Sequence, residues 1–106
     1  MGSVFISREQ FAKLGVTPAQ TTKTLTLANT EYSVALPTGT KRVIFGLRSG
    51  SYSFRYGWAT GETNFTVPAG AFRDVSDIHL DDTTTTTIYF ICPDVAGEVM
   101  EIEYWN

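Results

Sequence analysis

The residue types able to do chemistry crowd into one short stretch: Asp74, Asp77, Asp81 and Asp82, with the sole histidine, His79, among them and Ser76 beside Asp77. Carboxylates around an imidazole suggest metal ligation or acid–base work. Their spacing does not reproduce the Asp-x-Asp/Asn-x-Asp/Asn-Gly calcium loop, and one histidine far from any thiolate cannot furnish a typical zinc site. Nor do Ser76, Asp77 and His79 form a nucleophilic triad. A triad needs convergent geometry, an extended strand turns successive side chains to opposite faces, and no Gly-x-Ser-x-Gly elbow exists. Cys92 precedes Pro93 in an apolar run and reads as a small hydrophobe rather than a nucleophile. The expectation is therefore a non-enzyme without catalytic, cofactor-binding or metal residues, its acidic stretch a solvated loop and strand edge.

Aromatic residues offer a different chemistry. Tyr52, Phe54, Tyr56 and Trp58 recur at period two, and exposed rings in such a stripe stack on sugars or bases. The same pattern arises when the rings face a core. The register of a Ser49-Gly50 hairpin favours core for Phe54 and Tyr56. It leaves Trp58 and Trp105, both at strand ends, as surface candidates, since amphipathic indoles are enriched where proteins bind one another. Asn64-Phe65-Thr66 matches a glycosylation acceptor, which matters only if the chain is exported. Gly46, Gly50, Gly57, Gly61 and Gly70 read as turns, bulges or strand ends rather than a phosphate loop.

At 106 residues the chain is expected to form a single domain around one core. Hydrophobic residues make up 42% and charged residues 18%, the composition of a folded chain with a sparsely charged surface. Eight basic against eleven acidic residues give a net charge of −3, and the basic residues are scattered, so nucleic acid is not the expected partner. With one cysteine no intrachain disulfide forms, which suits a reducing compartment or assembly inside a cell. No apolar run approaches the roughly 18 residues of a membrane span, and the N-terminus lacks the pattern of a secretory signal. Gly2 is not followed by the Ser or Thr at position 6 that myristoylation needs, because Ile6 stands there.

These side chains must be positioned by strands. From Lys23 onward, turn signals recur about every 8 to 12 residues, the spacing of an antiparallel β-sandwich or barrel. Strands are predicted at 24–27, 32–36, 42–48, 52–58, 65–67, 75–80, 86–92 and 99–105, with 4–6 as a ninth. The threonine run 83–87 is β-branched and reads as a strand entrance. The first twenty residues differ from the rest. Ser7 and Gln10 form a capping pattern, Phe11 and Leu14 share a side, and Gly15 is a stop signal, so a short helical turn is expected, followed by a polar connector from Thr17 to Thr22. Phe5, Phe11 and Leu14 either plug one end of the sandwich or belong to an N-terminal arm, 1–20, that docks on a neighbour.

Two hairpins are predicted. A two-residue Ser49-Gly50 loop would pair Leu47 with Tyr52, Phe45 with Phe54 and Val43 with Tyr56, gathering nearly all apolar side chains on one face. A five-residue turn at 93–97 would set Cys92 opposite Glu98, Phe90 opposite Met100 and Ile88 opposite Ile102. Ile88, Phe90, Met100 and Ile102 are then core, while Tyr89 and Ile91 need cover on the other face.

The ending Thr87-Ile88-Tyr89-Phe90 through Gly97-Glu98-Val99-Met100-Glu101-Ile102-Glu103-Tyr104-Trp105 resembles that of small structural proteins of tailed bacteriophages. Tyr52-Ser53-Phe54-Arg55-Tyr56-Gly57 followed by Phe65-Thr66-Val67-Pro68-Ala69-Gly70 is similar to the same group. The likeness covers 41–105, rests on strand and turn patterns, and does not extend to 1–40. It implies a virion component, foremost a capsid decoration (cement) protein, with head-completion and tail-associated proteins sharing the style. It further implies a jelly-roll-like β-sandwich, a dimer or trimer, assembled in the host cytoplasm, whose partner is the major capsid protein. The interface residues expected for that role are Phe5, Phe11, Leu14, Trp58 and Trp105. A carbohydrate-binding β-sandwich with Trp58 and the tyrosines as stacking platform is the alternative.

Overall fold

In the computed structural model the residues described are 18–76, 78 and 84–105. They form eight strands: β1 (Ala19–Leu25), β2 (Tyr32–Leu36), β3 (Arg42–Leu47), β4 (Phe54–Gly57), β5 (Phe65–Val67), β6 (Arg73–Val75), β7 (Thr86–Ile91) and β8 (Glu98–Trp105). These make two four-stranded sheets, ordered β1-β8-β3-β6 and β2-β7-β4-β5. Every pairing is antiparallel: β1 with β8, β2 with β7, β3 with β6 and β4 with β5, joined through β8–β3 and β7–β4. This is the jelly roll, a long folded-back double strand wrapped over two sheets. The all-β, antiparallel sandwich expected from the turn spacing is what forms.

Alternation explains the core. Along β3 Val43, Phe45 and Leu47 point inward, and along β4 Phe54 and Tyr56 do the same. Ile88 and Phe90 of β7 meet Met100 and Ile102 of β8 in the same cluster, all at most 2% exposed. The rings pack edge to face, Phe45 lying 5.0 Å from Tyr56, 5.2 Å from Phe90 and 6.1 Å from Phe54 between centroids. Such offset geometry lets the positive edge of one ring meet the negative face of the next.

Neither predicted hairpin forms. β3 and β4 lie in opposite sheets, as do β7 and β8, so Phe45 and Phe54, assigned as cross-strand partners, stack across the core instead, and Ile88, Phe90, Met100 and Ile102 meet in the same cluster. The physical reason is competition for strand edges. β8 is hydrogen-bonded on one side to β1 and on the other to β3, and β7 is bonded to β2 and β4, which leaves neither an edge for the other. The segment from Cys92 to Gly97 therefore crosses between sheets. Gly97, at φ 85°, donates its N–H to Leu25 O at 2.8 Å, a backbone turn that glycine adopts without penalty. At the other corner Arg48 N still donates to Val99 O at 2.9 Å, after which Gly50 (φ 66°) turns the chain toward the second sheet. Tyr52, expected opposite Leu47 in the core, stands on that corner and is exposed.

Some boundaries move as well. Ala19, Gln20, Thr21 and Thr22, expected as connector, are strand, because β1 runs along β8 for seven residues and β-branched threonines suit an edge strand. β6 begins at Arg73, upstream of the predicted 75–80. The predicted strand at 4–6, the helical turn, the arm residues Phe5, Phe11 and Leu14, and Asp77, His79, Asp81 and Asp82 lie outside the described residues. No helix occurs among the described residues.

Candidate binding surface

At one end of the β4–β5 pair the inward stripe of aromatics runs out of the core and into solvent. Tyr56 is buried, Phe65 is its register partner on β5, and Trp58 follows directly after β4. The Tyr56 ring lies 6.0 Å from that of Phe65 and 6.0 Å from that of Trp58, the latter nearly perpendicular at 88°. Trp58 is 38% exposed and Phe65 65% exposed, although both rest on a buried ring. Arg73 on β6 ties this group to the opposite sheet, its Nε donating to the Tyr56 hydroxyl at 2.8 Å with the guanidinium 5.9 Å from the ring centre.

The loop that carries Trp58 is pinned. A side chain at Gly57 would collide with the Glu62 carbonyl, so the loop folds flat against the strand only because that residue has no Cβ. Glu31, just before β2, accepts the Gly61 N–H at 3.0 Å and the Thr63 hydroxyl at 2.8 Å. Glu62 N donates to Ala59 O at 3.0 Å and closes the turn. Trp58 and Phe65 are therefore rigidly presented, which lowers the entropy that a partner must remove on binding.

Trp105 is placed differently. It ends β8 opposite Arg42, whose guanidinium covers the indole at 4.8 Å and forks onto Asp74 at 3.0 and 2.7 Å. Its ring is half-buried beneath an internal stack, while Trp58 has an open face. The Arg42 guanidinium holds the Asp74 carboxyl below the usual carboxylate range, and Asp74 in turn raises Arg42. Asp74 is thus a surface ion-pair partner. Cys92 is buried in the core cluster, and burial pushes its thiol up, away from thiolate chemistry. Among the described residues no three His, Cys, Asp or Glu side chains gather as metal ligands.

Two exposed phenylalanines were not singled out by sequence reasoning as site residues. Phe65 read as a strand residue and Phe72 as loop. Phe72, 55% exposed, lies over Gly46, where an added Cβ would come within 2.6 Å of the ring. It walls an open groove of about 560 Å³ on the outer face of β1-β8-β3-β6, lined also by Ile44, Thr22, Glu101 and Glu103. The sequence signal for the groove was Ile44, an apolar residue that alternation assigns to the polar face of β3. Glu101 accepts from Arg48 Nε at 2.9 Å and Glu103 from Gln20 Nε2 at 3.0 Å, so the carboxylates in it are already engaged. Comparison with protein-family models, with curated proteins and with solved structures returned no match to this chain.

Proposed function

We propose that this chain is a non-enzymatic virion component, a capsid decoration protein of a tailed bacteriophage that docks across capsid subunits and stabilises the shell. The observation that carries the reading is the rigid pair Trp58 and Phe65, open to solvent on a buried Tyr56 at one end of a jelly roll. Exposed aromatics on a fixed base bury much apolar area at little entropic cost, which is the composition of a protein-docking hot spot. The likeness of 41–105 to phage structural proteins supplies the partner class, the major capsid protein. On a repeating lattice modest single contacts add through multivalency, and association of the decoration protein into dimers or trimers strengthens this further.

The test is co-sedimentation of the purified protein with capsids lacking it, alongside the thermal stability of the particles. Binding that raises the particle melting temperature, and that weakens in Trp58→Ala and Phe65→Ala, is expected. Absence of any association with particles would sink the reading.

The same open rings favour a second reading, a carbohydrate-binding module that stacks a sugar on Trp58 and Phe65. Glycan binding that collapses in Trp58→Ala, without particle binding, would select it.

A further inference from the structure

The two outer faces of the sandwich differ in how their charges are satisfied. On β1-β8-β3-β6, Arg48 pairs with Glu101 and Arg42 with Asp74. On β2-β7-β4-β5 the outward positions Ser33, Ala35 and Thr87 are neutral, and Tyr89 and Ile91 are half-buried apolar residues. Among them stands Arg55. Its chain neighbours Phe54 and Tyr56 point into the core, so Arg55 points outward, opposite Ile91 on β7 and Thr66 on β5.

Arg55 Nε is shut off from solvent and meets no hydrogen-bond acceptor, and among the described residues no carboxylate pairs with the guanidinium. Glu31, the carboxylate at the head of β2, is already engaged by Gly61 and Thr63. The guanidinium therefore carries its charge without an anionic partner among the described residues, and its terminal Nη edge fits an incoming carboxylate in bidentate fashion. A neutral surround that includes a tyrosine and an isoleucine costs little to desolvate.

We infer that the outer face of β2-β7-β4-β5, centred on Arg55, Tyr89 and Ile91, docks a protein surface that presents an Asp or Glu carboxylate framed by apolar side chains. The inference rests on the shell-binding reading and assigns that acidic contact to the capsid subunit. A second copy stacked through the same face is a poorer occupant, because two-fold symmetry would oppose two guanidiniums with no free carboxylate among the described residues of that face between them.

The test uses the full chain and capsids lacking it, comparing wild type, Arg55→Gln and Arg55→Lys, and repeating wild type on capsids whose carboxylates are capped by carbodiimide and ethanolamine. The expected result is an apparent affinity about tenfold weaker for Arg55→Gln, an intermediate value for Arg55→Lys, and a matching loss on capped capsids. The melting temperature of free Arg55→Gln should stay close to that of wild type, since no ion pair of Arg55 is lost. Equal capsid binding by wild type and Arg55→Gln overturns the inference and leaves the shell reading standing. Failure of wild type to sediment with capsids overturns the shell reading and the inference with it. If sedimentation velocity shows that Arg55→Gln instead dissolves an oligomer, a second copy occupies the face and the inference is overturned.

Discussion

Phe45 and Phe54 face one another across the core with ring centroids 6.1 Å apart, yet they belong to different sheets and share no backbone hydrogen bond. Eight residues lie between them in the chain, and the corner at Gly50 turns one sheet into the other.

Because that contact is side chain to side chain, it should appear as coupling. Phe45→Ala and Phe54→Ala are each expected to cost about 3 to 5 kcal/mol by denaturant unfolding, from lost burial and residual cavity. The double mutant should fall short of the sum by about 0.5 to 1.5 kcal/mol, the value of an edge-to-face pair. Strict additivity would mean that the rings do not touch.

Gly57→Ala should be disproportionately damaging for a single methyl. Its Cβ would press on the backbone carbonyl of Glu62, which cannot rotate away as a side chain would. A loss of about 1 to 3 kcal/mol is expected, with a red shift of Trp58 fluorescence as the loop lifts. Gly61→Ala would test the same loop by another route, through its φ of 78°.

Truncating the open rings should separate binding from folding. Trp58→Ala and Phe65→Ala should cost clearly less stability than truncation of a core ring such as Phe45, because Trp58 is 38% and Phe65 65% exposed. Their effect belongs in particle or glycan binding, and circular dichroism of each variant should overlay that of the parent.

Cys92 makes stability fall on the alkaline side. Burial raises the folded-state thiol above its ordinary value, so between the unfolded and folded values the unfolded chain binds fewer protons than the native one. The contribution is fully present below the ordinary thiol value and is lost as pH rises through the raised one. Stability measured from pH 8 upward should decline less steeply in Cys92→Ala than in wild type. Parallel curves would refute the assignment.

How much of this was legible beforehand differs from residue to residue. Ile88, Phe90, Met100 and Ile102 could be named as core because each lies at period two in an apolar strand, and all are buried. Trp58 was legible as a surface aromatic from its place at a strand end. Phe65 was not, since its exposure arises because it begins β5, a three-residue strand at the edge of its sheet with no further strand beyond it among the described residues. The isolation of Arg55 was hidden too. It depends on which residues β7 and β5 bring alongside, and β7 lies three strands further along the chain from β4.

The sequence by itself determined that the described part of the chain is built of strands and which of their side chains face inward, because alternation is a local property of extended backbone. Only the tertiary structure decided which strands pair. Stacking across a core and pairing within a sheet place the same residues on the same inward face, so the pattern of Val43, Phe45 and Leu47 with Phe54 and Tyr56 fits either. The choice was made by distant strands. β8 and β7, each bonded on both edges, leave β3 and β4 to separate sheets, and the corner at Gly50 follows.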